Sequence, residues 1–124
     1  MDISLPSDCG NAPRIAIVSD FVTNWAQGDA AAVQEQLAVE ATWTIIGEGE
    51  FSGHEVAVRA APRLEADRLE LLSVITHGRF AACDGYLAAG ETRMSFSHMF
   101  CFTSTGNTAK VRNVRSYRIL EPHR

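Results

Sequence analysis

The chain has 124 residues, of which 46% are hydrophobic and 21% are charged, and its formal net charge is −4. These values are typical of one globular domain that buries about two thirds of the surface its unfolded form exposes, without help from a disulfide or a metal. The acidic balance argues against nucleic acid or an anionic membrane as the partner, because both are bound by basic surfaces.

Three cysteines, Cys9, Cys83 and Cys101, lack zinc-type spacing, and their odd number indicates free thiols in a reducing compartment. The first ten residues contain neither a basic segment nor an apolar run, so we expect no signal peptide, no transmembrane segment and a cytoplasmic location. The histidines show no metal-binding spacing, and no glycine-rich phosphate loop occurs. We therefore expect neither a metal nor a cofactor.

The N-terminal residues 1–11 are expected to form a loose arm, followed by a single domain over residues 12–124. Asn11 is a plausible N-cap for a first helix, and Gly28 suits the position just past its end. Between them, apolar residues recur with helical spacing, at Ile15, Val18, Val22 and Trp25.

Two shorter helices and a strand are expected next. Asp29 can cap a short helix that ends near Leu37. The stretch Thr42–Ile46 is rich in β-forming residues and leads into a glycine-containing turn. A third helix is expected after Ser52 as its cap, and Pro62 must bend or end that helix.

The second half of the chain has the pattern of consecutive strands. Four β-like runs follow one another at hairpin spacing: 69–76 (LELLSVIT), 79–87 (RFAACDGYL), 92–103 (TRMSFSHMFCFT) and 109–120 (AKVRNVRSYRIL). This spacing predicts an antiparallel meander. Helices first and strands after predict an α+β fold, with the helices packed on one face of a curved sheet.

This order of elements resembles the nuclear transport factor 2-like superfamily, which includes SnoaL-like polyketide cyclases and ketosteroid isomerase. The resemblance is carried by Asn24–Trp43 (NWAQGDAAAVQEQLAVEATW) and by Ser97–Phe102 (SHMFCF), followed by Lys110–Val114 (KVRNV). It covers roughly residues 12–120. It implies a cone-shaped, cystatin-like fold, in which a strongly bent antiparallel sheet wraps around the helices and leaves a pocket inside.

The resemblance does not extend to the catalytic groups of ketosteroid isomerase, which uses a carboxylate base with a tyrosine and a protonated aspartic acid as oxyanion donors. The tyrosine position aligns with Phe21 and the base position falls near Ile45; neither residue can exchange a proton. The second donor position falls on His98. The resemblance therefore implies that this chain is not a ketosteroid isomerase and that His98 faces the pocket.

His98 is the main candidate for a functional group. It alternates in step with three phenylalanines, Phe96, Phe100 and Phe102. Alternate residues of a strand share a face, so if these aromatic rings point inward, the imidazole points inward with them.

Asp84 is the expected partner of His98. If the hairpin between the second and third runs is centred near Gly90, the two residues are diagonal neighbours on one face. A carboxylate bonded to one imidazole nitrogen raises the basicity of the other, which is a general-base arrangement. The alternatives are a buried polar pair without a catalytic role, or an Asp84 that serves a turn with Gly85. A shift of one residue in the register would separate the pair.

A largely apolar pocket is expected around these two residues, with Cys83 and Cys101 on the opposite face as packing residues. Its expected substrate-binding residues are Phe21, Trp25, Trp43, Ile45, Tyr86, Phe96, Phe100 and Val114. The alternative for each aromatic residue is a place in the core.

Two functional hypotheses follow. The first is binding or conversion of a small, largely apolar molecule by a cofactor-independent isomerase, dehydratase or cyclase that uses His98. The second is a non-catalytic ligand-binding or dimerisation module of the same fold. A homodimer is expected through the outer face of the sheet, where we place an apolar row of Met99, Cys101, Val111 and Tyr117.

Overall fold

The structure is a computed structural model that describes residues 1–10 and 12–122. Its helices are α1 (Pro13–Ala26), α2 (Ala30–Gln36) and α3 (Val56–Arg59). Its strands are β1 (Asp2–Ser4), β2 (Leu37–Ile45), β3 (Gly49–Ser52), β4 (Arg68–His77), β5 (Phe80–Ala89), β6 (Thr92–Phe102) and β7 (Val111–Pro122). Within the described ranges, every helix is too short or too polar to cross a membrane.

The strands form a single curved sheet in the part of the chain described, in the order β1-β4-β5-β6-β7-β2-β3. Strands β4 to β7 are the predicted antiparallel meander. Two parallel pairings extend it, β2 beside β7 and β1 beside β4. Helix α1 packs across β4 and β5, so that helices fill the concave side. The predicted α+β cone is therefore confirmed.

The helix signals of the first forty residues are largely confirmed. The carboxylate of Asp29 accepts a hydrogen bond from the backbone N–H of Ala32 at 3.2 Å, as expected for the cap of α2. Gly28 has a φ of +75°, a conformation that glycine adopts without the steric cost of a side chain. Asn11, the expected N-cap of α1, lies outside the described residues, and the N-cap position belongs to Ala12.

The predictions for the arm and for the segment after β2 were wrong in detail. The N-terminal arm is not loose throughout, because Asp2–Ser4 pairs with β4. Ser52 is the last residue of β3, opposite Thr42, and α3 is a single turn that follows Glu55. Pairing with β2 overrides the local helix signal of Ser52, since the sheet satisfies its backbone groups instead.

Two of the four residues expected on the outer face of the sheet are not there. Met99 and Tyr117 do lie on it, opposite Arg115 and Ser97 respectively. Cys101 and Val111 are buried instead, with 7% and 1% exposure. The register shifts between Cys101 and Phe102, and this bulge changes which residues face inward at the ends of β6 and β7.

Gly85 gives the fold a sharp steric test. It lies on β5 beside the irregularity in β4, and a Cβ atom there would collide with the backbone carbonyl oxygen of Glu70. We expect Gly85→Ala to lower the free energy of unfolding by about 2–3 kcal/mol, because backbone must move to admit the methyl group. Gly106→Ala is the control, since its Cβ would be 3.4 Å from the Ser104 hydroxyl oxygen. Urea unfolding that gives equal values for both variants would contradict the packing at Gly85.

Candidate functional site

His98 lies at the centre of the concave face of the sheet and has no exposed surface. Its neighbours on the same face of β6, Phe96 and Phe100, are also buried. The alternation of β6 therefore turns the imidazole inward, as predicted.

Aromatic rings enclose the imidazole. Trp25 from α1 lies perpendicular to it, with ring centroids 4.5 Å apart, and Phe96 stacks against it at 4.9 Å. Phe100 and Trp43 follow at 5.9 and 6.1 Å. Such an environment holds few groups that could stabilise a positive charge by hydrogen bonding. The few polar contacts of the ring therefore determine its tautomer and its charge.

A chain of hydrogen bonds fixes the orientation of the imidazole. The indole Nε1–H of Trp43 donates to the Ser116 hydroxyl oxygen at 2.8 Å, and that oxygen lies 2.7 Å from His98 Nδ1. A serine hydroxyl can accept two hydrogen bonds but donates only one, and the indole of Trp43 can only donate. Among the described residues, Nδ1 is the acceptor within hydrogen-bond distance of the Ser116 hydroxyl, so the serine hydrogen is assigned to it. We therefore assign the tautomer of His98 with the hydrogen on Nε2. Nε2 is buried and has no hydrogen-bond partner among the described residues.

His98 is neutral at physiological pH. Burial lowers the pKa of His98 to about 3, with a smaller contribution from the positive charge of Arg118. An imidazole with this pKa is a poor general base at pH 7, whereas its Nε2–H is an uncharged hydrogen-bond donor. The site can therefore anchor or polarise an oxygen atom more readily than it can remove a proton.

The predicted contact between Asp84 and His98 was wrong. Cys83 lies opposite His98, while Asp84 pairs with Ser97 and is exposed on the outer face. The turn between β5 and β6 has two central residues, Gly90 and Glu91, so the hairpin is centred between them and not on Gly90. This difference of one residue moves Asp84 to the other face of the sheet.

The same shift reverses two further predictions. Cys83 is buried on the face of His98, and burial raises the pKa of its thiol to about 12, so it stays protonated. Tyr86 lies on the outer face, where the Arg93 guanidinium carbon is 4.0 Å from its ring centroid. The other predicted pocket residues are all buried in one cluster: Phe21, Trp25, Trp43, Ile45, Phe96, Phe100 and Val114.

Ser116 and Arg118 are further polar residues of this face, and the sequence analysis missed Ser116. They alternate with Val114 on β7, and this alternation could have placed them on the same face as that predicted pocket residue. Ser116 lies opposite His98, and Arg118 lies opposite Phe96. Only the pairing of β6 with β7 shows that Ser116 contacts the histidine and that Arg118 lies beside Phe96.

A cavity opens on the same face beyond Phe96. It has a volume of about 220 Å³ and is lined by Glu48, Arg63, Leu64, Met94, Arg118 and Leu120; we call it the mouth cavity. Arg118 donates to the Glu48 carboxylate through Nε at 3.1 Å and Nη2 at 3.2 Å. His98 lines none of the cavities described, so the imidazole is closed off in this conformation. Within residues 1–10 and 12–122, no three potential metal-ligating side chains cluster.

Comparison with solved structures identifies the fold. The chain is similar to an NTF2-like protein of unknown function from Burkholderia xenovorans, with a TM-score of 0.69, 16% identity, and coverage of 86% of this chain and 81% of that chain. The protein has the NTF2-like fold. No protein-family model matches the chain, and no curated protein matches it in sequence.

Two other similar structures show how little this fold says about activity. SalBIII, an epoxide hydrolase/cyclase-like enzyme with a role in forming the pyran ring of salinomycin, has a TM-score of 0.65 and 18% identity, with 86% of this chain and 90% of that chain covered. A de novo designed protein with a curved β-sheet has a TM-score of 0.69 and 17% identity, with 87% and 86% covered. Since an enzyme and a designed protein share the NTF2-like fold, function must be argued from side chains.

The depressed pKa of His98 predicts a specific pH dependence of stability. The native state holds fewer protons on this ring than the unfolded state does between pH 6.5 and about 3, so stability should fall as pH falls through that window. The slope should reach up to about 1.4 kcal/mol per pH unit. In His98→Phe this contribution is absent, whereas any cost of overpacking is independent of pH.

Denaturant unfolding of the unmodified chain and of His98→Phe from pH 7 to pH 4 measures the difference between their free energies of unfolding. The exposed His54 and His77 are present in both proteins, so their contributions cancel in this difference. NMR titration of the imidazole provides a direct check. A midpoint for His98 near 6.5 would contradict the buried, neutral ring.

Proposed function

We propose that the protein binds a small, largely apolar molecule inside its cone and that the Nε2–H of His98 donates a hydrogen bond to an oxygen atom of that molecule. The observation that carries the proposal is the buried Nε2, which no described residue satisfies. A buried donor without a partner costs about 1–3 kcal/mol. A ligand oxygen, or a water molecule that the ligand displaces, would remove this cost.

The ligand must move an aromatic ring to reach His98, because the imidazole is fully covered. Phe96 is the candidate gate, since it stacks on the imidazole and lies opposite Arg118, which lines the mouth cavity. His98 and Phe96 are two positions apart on β6, which corresponds to about 7 Å along the strand. We infer that displacement of the Phe96 ring opens the path from the cavity to the histidine.

Binding is better supported than catalysis. The buried polar side chains in the described part of the chain are those of Arg14, Ser19, His98 and Ser116, none of which is a carboxylate. Isomerisation, dehydration and cyclisation all need a proton acceptor, and the low pKa of His98 makes it a poor one. An enzymatic role for His98 would be polarisation of a carbonyl or epoxide oxygen, a chemistry for which the similarity to SalBIII is the main support.

Acetophenone and α-methylstyrene test the hydrogen bond, because they differ mainly in having C=O or C=CH₂ at the same position. We expect acetophenone to bind about tenfold more tightly, the ratio that corresponds to one hydrogen bond of about 1.4 kcal/mol. We also expect it to shift the ¹⁵N resonance of His98 Nε2. His98→Phe should remove the preference, and Asp84→Asn, on the outer face, should retain it. If neither compound binds at millimolar concentration, or if both bind equally, the proposal is wrong.

Dimerisation through the outer face of the sheet is the second candidate function. Three apolar side chains on β4 and β7 are strongly exposed there: Ile75 by 68%, Tyr117 by 50% and Ile119 by 67%. A second copy of the chain that covered this face would remove them from water. Dimerisation is compatible with ligand binding, since it uses the opposite face from His98.

Light scattering at micromolar concentration tests the dimer. We expect the mass of a dimer for the unmodified chain and of a monomer for Ile119→Glu, because a buried unpaired carboxylate would oppose association. Val58→Glu is the matched control, since Val58 is 64% exposed on α3, away from the sheet. A monomer for the unmodified chain would overturn the dimer while leaving the ligand proposal intact.

A further inference from the structure

The mouth cavity carries more positive than negative charge. Arg63 and Arg118 line it together with Glu48, while Leu64 and Met94 supply apolar wall. Both arginines lower the pKa of Glu48, with the hydrogen bond from Arg118 as the largest cause, so all three groups are ionised at neutral pH. The cavity therefore has a net charge of +1 next to an apolar surface.

The charged side chain of Arg118 is largely shielded from solvent. Its side chain is only 7% exposed, whereas that of Glu48 is 40% exposed. The two hydrogen bonds to Glu48 use Nε and Nη2, and Nη1 donates to none of the described residues. A guanidinium presents five N–H donors and matches a carboxylate in a bidentate manner, so an edge of Arg118 remains for a second oxyanion.

Glu48 lies in a turn that can move away from Arg118. It lies in the turn between β2 and β3, flanked by Gly47 with φ +85° and Gly49 with φ +156°. Glycine adopts these conformations at little cost, so the turn can adjust without straining a side chain. Glu48 thus occupies the position of an acidic group at Arg118 without being fixed there by burial.

We propose that the ligand of this protein is a carboxylic acid, whose carboxylate is bound at the mouth by Arg118 and Arg63 while its apolar body lies against Met94 and Leu64. This inference rests on the proposed ligand binding and adds the chemical class of the ligand. A carboxylate at the mouth and an oxygen acceptor at His98 would be separated by about two residues of strand, or roughly 7 Å. The ligand carboxylate takes the edge of Arg118 that Glu48 leaves free, and the negative charge of Glu48 opposes its binding.

The test compares 3-benzoylpropanoate with its neutral amide, 3-benzoylpropanamide, by calorimetry at pH 7. We expect the acid to bind about tenfold more tightly than the amide, as a charge-assisted hydrogen bond in a partly buried site provides. Arg63→Gln should lower the affinity for the acid by about threefold, because an exposed charge contributes little, and should leave the affinity for the amide unchanged. Glu48→Gln should strengthen the acid by a similar factor, because it removes the competing charge.

Arg118→Gln should abolish the preference for the acid, and thermal unfolding will show whether this variant is folded. Should it fail to fold, the surface variants at Arg63 and Glu48 still decide the question. Arg115→Gln, on the outer face, is the control and should change neither affinity. Acid and amide that bind equally well to the unmodified chain would overturn the acid ligand, while retained sensitivity of both to His98→Phe would leave the proposed function standing. Binding of neither compound would overturn both.

Discussion

The hydrogen bond between Ser116 and His98 is the interaction on which the interior of this cone depends. It joins the middle of β6 to the middle of β7, and the indole of Trp43 extends it to β2. Three neighbouring strands are therefore linked across the concave face by one serine hydroxyl. Without that hydroxyl, the imidazole would be a polar ring in an aromatic cluster with both nitrogens unsatisfied, which is a costly arrangement.

This relay also determines what the histidine can do. Because the serine hydrogen is directed to Nδ1, the free donor is Nε2–H, and burial keeps the ring uncharged. A neutral imidazole that donates is suited to holding or polarising an oxygen. A base would need a nearby carboxylate to stabilise the imidazolium, and the register of β5 places Asp84 on the other face.

The concave face is uncharged at its centre and charged at its rim. The centre is apolar and holds a neutral polar relay, whereas the rim holds Arg118, Arg63 and Glu48 around a cavity. An apolar molecule with one charged end would find both environments in sequence, with its charged group at the rim and its body inward. Phe96 lies between the two zones, since it stacks on His98 and is opposite Arg118.

The sequence by itself determined the order of the longer elements, though not the short strands β1 and β3, and it determined the face of each residue along the regular parts of the strands. The helix cap at Asp29, the four-strand meander and the inward direction of His98 follow from spacing within one segment, which is a local property of the chain. The pairing between segments was decided by tertiary structure alone. The two-residue turn at Gly90 and Glu91 sets the register of β5 against β6, and a shift of one residue there exchanged Asp84 for Cys83 beside the histidine. The relay beside His98 comes from β7 and β2, and the charges at the mouth come from β7, from the turn after β2 and from the segment between α3 and β4. Sequence spacing cannot align these segments with β6, because their contacts depend on how the whole sheet curves.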